Sequence, residues 1–212
     1  MDSLEPLQNK ENHSSLTATP FSKKHTYATH YYKKLTDVIK LLDFAAIDHV
    51  INLIRSAWLS QKQIICFGNG GSALTAQHFI NDWNKSIFLS SGKPFRGRSL
   101  TENMGLVTSY ANDLSYQDIF IEQLKNILEP GDLVMGISGS GNSENVLRGI
   151  AYANEKGHPT IGLCGFDGGK LKHLAKHIVW IPIHDMQITE DLHFTVGHLV
   201  MQSLCQTSDV IY

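Results

Sequence analysis

The sequence predicts an α/β fold, a parallel sheet covered by helices on both faces. Three observations point to it. Short apolar runs of strand length alternate with longer segments whose apolar residues recur every three or four positions. Two of the runs, "QIICFG" and "DLVMGIS", pass straight into glycine- and serine-rich loops that open helices. Both are apolar at successive positions, as strands buried on both faces require.

From about Thr26 to Leu59 the pattern is helical. Tyr31, Leu35, Val38, Ile39 and Leu42 set one apolar stripe. Asp43 is placed to cap a second helix carrying Ile47, Val50, Ile51 and Ile54. "QIICFG" reads as a buried strand ending in a glycine turn, and Ala76, Phe79, Ile80 and Trp83 give the following helix its inner face. "PFRGRSL" is a second strand, "ENMGLVTSYAND" a helix, and "SYQDIFIEQLKNIL" another helix opened by Ser115. "PGDLVMGIS" is a strand, and "NSENVLRGIAYANEKG" a helix with glycine just past its end. "PTIGLCG" and "IVWIPI" are strands on either side of a short helix in "GGKLKHLAKH". "ITEDLHFTVGHLVMQSL" closes the pattern as a long helix.

The length of 212 residues suits one domain with a sizeable core. The first 25 residues are polar, poor in aromatics and without a hydrophobic signal core, so they are expected to be disordered, leaving 26–212 as the domain. A net charge of -2 shows no basic excess, which argues against a nucleic-acid partner. No 18-residue apolar run is present, so no membrane helix is expected. The three cysteines, Cys66, Cys164 and Cys205, are widely spaced in apolar surroundings, which fits reduced buried thiols and a cytoplasmic setting.

Two loops share one chemistry. "GNGGS" (Gly68 to Ser72) and "SGSGNS" (Ser138 to Ser143) each follow a strand and open a helix. Glycines let backbone approach an anion, a helix N-terminus supplies free N–H groups, and Ser138, Ser140 and Ser143 add hydroxyls. There is no Walker lysine and no full GxGxxG, so a phosphomonoester fits better than a nucleotide. His78 and Asp82 lie four apart on one helix face, and Glu190, His193 and His198 lie on the last helix. Imidazole with carboxylate suits zinc, iron, nickel or manganese.

Taken together, "GNGGSA", "AQHF", "ANDLSYQDIF", "GISGSGNSENV", "DGGK" and "EDLHFTVGH" resemble the sugar isomerase (SIS) domain family, in its phosphoheptose isomerase branch, over roughly Tyr31 to Leu204. The resemblance implies a single SIS domain. That is a three-layer α/β/α sandwich around a mainly parallel, doubly wound, flavodoxin-like five-stranded sheet, with the helices of 26–60 packed on the core and at a subunit interface. It implies conversion of sedoheptulose 7-phosphate to D-glycero-D-manno-heptose 7-phosphate through an enediol. Sugar-phosphate contacts would fall to Asn69, Gly70, Gly71, Ser72, Glu102, Asn103, Ser138, Gly139, Ser140 and Ser143. A divalent metal, zinc by preference, would be held by His78, Asp82, Glu190 and His198. Asp82 would be the base and His198 the proton shuttle, with His193 the second choice as acid, and Asp82 and Glu190 would also touch substrate. A homotetramer with sites at subunit boundaries is implied as well. Three positions depart from the family pattern: Asp82 for glutamate, Glu190 for glutamine and Gly139 for threonine. The family also contains isomerases of other sugar phosphates, non-catalytic sugar-phosphate binders, and scaffolds that associate with the replication initiator protein.

Overall fold

The structure is a computed structural model that describes residues 26–206. The expected disordered tail, residues 1–25, lies outside the described residues. The fold starts with α1 (Tyr27–Ile39) and α2 (Phe44–Leu59). The cap assigned to Asp43 forms, its carboxylate accepting from Ala46 N at 3.0 Å. β1 (Ile64–Gly68) is buried throughout. It leads into α3 (Gly71–Asp82), a π-helical turn (Trp83–Ile87) and the short α4 (Phe88–Ser91). After β2 (Gly97–Ser99) come α5 (Met104–Asp113), a 3-10 turn (Tyr116–Asp118) and α6 (Ile121–Ile127). β3 (Leu133–Ser138), α7 (Glu144–Glu155), β4 (Thr160–Cys164), α8 (Leu171–Leu174), β5 (His177–Trp180) and α9 (Met186–Cys205) complete it.

The five strands form one sheet in the order β2-β1-β3-β4-β5, every pairing parallel. One face packs α2, α3 and α9 through Val50, Ile54, Phe79, Trp83, Val196 and Val200. The other packs α6, α7 and α8 through Phe120, Leu124, Val146, Ile150 and Leu171. α1 lies against α9, where Tyr31 Oη donates to Asp191 at 2.6 Å and Lys34 pairs with Asp185 at 2.5 Å. The chain's winding reverses between β1 and β3. In an open parallel sheet, that reversal leaves a crevice beyond the strand ends. Both strands end at the same level there, Gly68 opposite Ile137, and the two small-residue loops leave from the two sides of the crevice.

The single helix expected from Ser115 is instead two pieces. Ser115 does not cap the backbone; its hydroxyl donates to Asp118 at 2.5 Å, and Arg148 holds the same carboxylate at 2.8 Å. That pull tightens 116–118 into a 3-10 turn, and Phe120 drops into the core to stack on Phe67 with ring centroids 4.8 Å apart. β2 is also shorter than "PFRGRSL". Phe95 packs into the core, and Asn84 takes both backbone groups of Gly97, accepting at 2.9 Å and donating at 3.0 Å. The side chain thereby satisfies part of an edge that a longer strand would leave open.

Candidate active site

The glycine loop turns at Gly70, whose φ of 51° with ψ of -122° suits a residue without Cβ. α3 then begins at Gly71 with no side-chain cap, which leaves its first amides without a side-chain partner. Ser72, expected to contact substrate, is 6% exposed and lies beneath the end of β1. The serine loop leaves Ser138. The Ser138 and Ser143 hydroxyls pair at 3.0 Å, and Ser140 Oγ accepts from Asn142 N at 3.3 Å. Ser143 occupies the N-cap of α7 without capping it, which leaves the helix N-terminus suited to an anion.

The serine loop is strapped from behind by residues 165–171. Gly165 N donates to Gly139 O at 2.8 Å, Leu171 N to Gly141 O at 2.9 Å, and Lys170 N to Asn142 Oδ1 at 3.2 Å. At Gly139 a Cβ would fall 3.2 Å from Met186 Cε and nearer to its sulfur. Met186, the first residue of α9, therefore takes up the space a side chain would need.

Beside the glycine loop is a cavity of about 370 Å³, lined by Gly68, Asn69, Gly70, Gln77, Thr101 and Tyr116 among others. Glu102 and Asn103 do not line it. They border a neighbouring cavity of about 260 Å³ with Arg98 and Ser99, and the Asn103 side chain caps α5 by accepting from Leu106 N. Thr101 and Gln77 stand at the first cavity instead, Gln77 Nε2 donating to Thr101 O at 2.9 Å. Gln77, Thr101 and Tyr116 line this cavity, and none of them stands out in the sequence pattern.

α3 and α9 follow parallel strands and so run side by side. One turn from the end of α3, His78 Nε2 lies 3.1 Å from Asp82 Oδ2 and 3.1 Å from His198 Nε2. Asp82 Oδ2 and His198 Nε2 are 3.7 Å apart. Phe194, one turn before His198, stacks on the His78 ring with centroids at 4.3 Å. Trp83 Nε1 donates to Gly197 O at 2.9 Å and locks the two helices together. Side-chain exposures of 34% for His78, 21% for Asp82 and 43% for His198 keep the group open to solvent.

These three can hold a divalent ion. Ligands at the ~2.0–2.1 Å of zinc sites stand about 3.3–3.4 Å apart in a tetrahedral set. The observed edges of 3.1, 3.1 and 3.7 Å bracket that spacing. Among the described residues this is the group of three or more such side chains close enough to hold a metal. Glu190 is not in it. Its carboxylate rests on Gly71, so close that a Cβ there would meet Oε1 at 2.6 Å and Oε2 at 2.8 Å. A negative charge at the start of α3 is stabilised by the helix dipole. His193 is also apart: it is 1% exposed, and burial pushes its imidazole down to about 4 against a smaller opposing pull from the Cys164 backbone.

The SIS domain family model matches residues 27–165. A probable phosphoheptose isomerase of Thermoplasma acidophilum is 39% identical over 159 residues, covering 75% of this chain and 87% of that one. The phosphoheptose isomerase of Aquifex aeolicus is 34% identical over 163 residues, covering 75% and 85%. The structure of phosphoheptose isomerase from Neisseria gonorrhoeae superimposes with a TM-score of 0.76 at 25% identity, covering 84% of this chain and 95% of that one. A doubly wound parallel sheet, small-residue loops at its switch point, and a match over most of its length make this chain a member of the SIS domain family, akin to its phosphoheptose isomerases.

Proposed function

We propose that this protein is an aldose–ketose isomerase that converts sedoheptulose 7-phosphate to D-glycero-D-manno-heptose 7-phosphate. The observation that carries the reading is the pairing of two sites at the two ends of α3. An anion-suited crevice lies where β1 and β3 end, and the His78/Asp82/His198 group lies seven residues along α3 from Gly71. At 1.5 Å per residue that separation is roughly 10 Å, a length of α3 along which a sugar chain can lie.

The serine loop, with Ser138, Ser140 and Ser143 at the α7 N-terminus, holds the phosphate, and that binding orients the sugar. Asp82 takes the C1 proton of the ketose, exchanges it with solvent and delivers a proton to C2, and His198 moves a proton between the two hydroxyl oxygens of the enediol. Asn69 and the α3 amides contact the sugar, and Glu190, resting at Gly71, accepts from its hydroxyls. A divalent ion, zinc by preference, held by His78, Asp82 and His198 would supply Lewis-acid polarisation of the sugar oxygens. The reading also takes the active form as a homotetramer. Leu74, Phe88, Leu89 and Leu199 stand exposed on α3, α4 and α9, and a neighbouring subunit covering them would shield the reacting centre. The three cysteines are buried and none is joined to another by a disulfide, which supports a reducing, cytoplasmic setting.

The test is purified protein incubated with sedoheptulose 7-phosphate, ribulose 5-phosphate and fructose 6-phosphate, each followed by NMR. The reading expects the aldose heptose phosphate from the first. Conversion of a shorter sugar alone would refute the substrate, and no conversion of any would refute the isomerase.

A further inference from the structure

Asn145 sits at the second position of α7 and is 2% exposed. Its carboxamide uses every hydrogen-bonding site it has. Oδ1 accepts from Val146 N at 2.9 Å and from Asn69 Nδ2 at 2.8 Å. Nδ2 donates to Asn69 Oδ1 at 2.9 Å and to Tyr116 O at 3.4 Å. The two amides thus form a closed pair that ties the glycine loop to the serine-loop helix across the switch point, and the Tyr116 hydroxyl donates to Asn69 Oδ1 at 2.8 Å.

The orientation of this pair follows from one backbone group. The N–H of Val146, which is fully buried, can only donate, so the oxygen of Asn145 must face it. Nδ2 of Asn145 then faces Asn69, and Asn69 must answer with its own oxygen. Both acceptor positions of Asn69 Oδ1 are filled, by Asn145 and Tyr116. What Asn69 has left is one N–H, beside the cavity it lines.

We propose that Asn145 is a positioning residue for the isomerase site: it fixes the side-chain amide of Asn69 so that the glycine loop offers the substrate a hydrogen-bond donor and never an acceptor. Asn69 therefore reads an acceptor oxygen of the sugar phosphate. The proposal rests on the isomerase reading above, and its test separates the two.

The test is a double-mutant cycle on kcat/KM for sedoheptulose 7-phosphate with Asn69→Ala, Asn145→Ala and the double variant. Loss of one net hydrogen bond predicts a fall of about 3- to 10-fold for each single change. It predicts no further fall when Asn145→Ala is added to Asn69→Ala, because the second residue acts through the first. Effects that multiply would overturn the proposal, as would an Asn145→Ala enzyme of wild-type kcat/KM. Side-chain amide NMR gives a second readout that needs no turnover. In the wild type, sedoheptulose 7-phosphate should shift one Asn69 Nδ2 proton and leave its partner, bonded to Asn145, in place; shifts of both, or of neither while the sugar binds, would overturn it. If Asn145→Ala fails to fold, Asn145→Asp replaces it. That change keeps the acceptor for Val146 but sets a carboxylate oxygen against Asn69 Oδ1, and the same non-additivity is expected. A wild type that binds the sugar with the predicted amide shift yet forms no aldose would count against the isomerase reading and in favour of the donor assignment.

Discussion

Gly197 of α9 lies directly against Phe79 of α3, and Gly197→Ala should open the site without touching any of its residues. A Cβ at this position would lie 2.9 Å from Phe79 Cγ and nearer still to Cδ1 and Cε1. Carbon atoms settle at about 3.5–4.0 Å, so the helices must part by about 1.5–2 Å to clear the nearest ring atoms. Phe79 cannot turn aside, since it is 1% exposed and stacked on Trp83 with centroids at 5.1 Å. Two effects oppose each other. Alanine in a helix interior gains up to about 1 kcal/mol over glycine, while overpacking costs about 1–3 kcal/mol. With three ring atoms inside contact distance the second wins, by about 1–2 kcal/mol, which lowers Tm by roughly 2–8 °C in a domain of this size. Parting the helices also lengthens the 3.1 Å His78–His198 edge beyond the tetrahedral spacing. Zinc affinity, measured by competition with a chromogenic chelator, should then fall by about 10- to 100-fold, as when a group supporting a metal ligand is lost. Shrinking the ring with Phe79→Leu in the same chain should recover part of the affinity. A Gly197→Ala protein with wild-type or higher Tm and unchanged zinc affinity would refute this account of how the two helices set the site.

Three further outcomes follow from the same geometry. Asp82→Asn keeps size but removes the base, and kcat should fall by about 10²- to 10⁴-fold, measured at saturating zinc so that lost metal does not mimic lost base. Ser143→Ala removes the hydroxyl paired with Ser138 at the α7 N-terminus, and KM for the sugar phosphate should rise by about 10-fold with kcat little changed; an unchanged KM would take the serine loop out of the site. His193 has a folded-state value near 4 against 6.5 in the unfolded chain, so the unfolded state binds more protons between those values. Stability from this residue is fully present above about pH 6.5 and lost as pH falls toward 4, with a slope approaching about 1.4 kcal/mol per pH unit. His193→Leu should flatten that slope in urea unfolding between pH 6.5 and 4.5, and an identical slope would show that His193 is not held neutral.

The fold was legible because burial leaves a strong mark on sequence. Strands buried on both faces must be apolar at every position, and "IICFG" and "LVMGIS" are, down to the glycine and serine where each strand opens into its loop. Asp43 was legible as a cap because few other roles put a carboxylate just before an apolar helix face. Failures came where a side chain overrode local pattern. Ser115 looks like a cap, but Asp118 is closer to hand and is also pulled by Arg148, 30 residues on. The site was half legible. His78 and Asp82 share a face by spacing alone, and His198 joins them because α3 and α9 rise from parallel strands on one side of the sheet. Glu190 was grouped with them, yet it stands two turns before His198, and Phe194 fills the level between. Asn145 and Tyr116 were illegible for a different reason. Their partner, Asn69, lies 76 and 47 residues away, and only the closure of the sheet between β1 and β3 brings them together.

The proposed site moves a proton between C1 and C2 of a seven-carbon sugar phosphate. Running the reaction from sedoheptulose 7-phosphate in D₂O reveals that transfer, with the product read by proton and deuterium NMR. An enediol route through the Asp82 carboxylate predicts the aldose heptose 7-phosphate with deuterium from solvent at C2, and loss of both product and label in Asp82→Asn. Aldose formed at wild-type rate by the Asp82→Asn enzyme, or a wild type that binds the ketose and neither converts it nor exchanges its C1 proton, would contradict it.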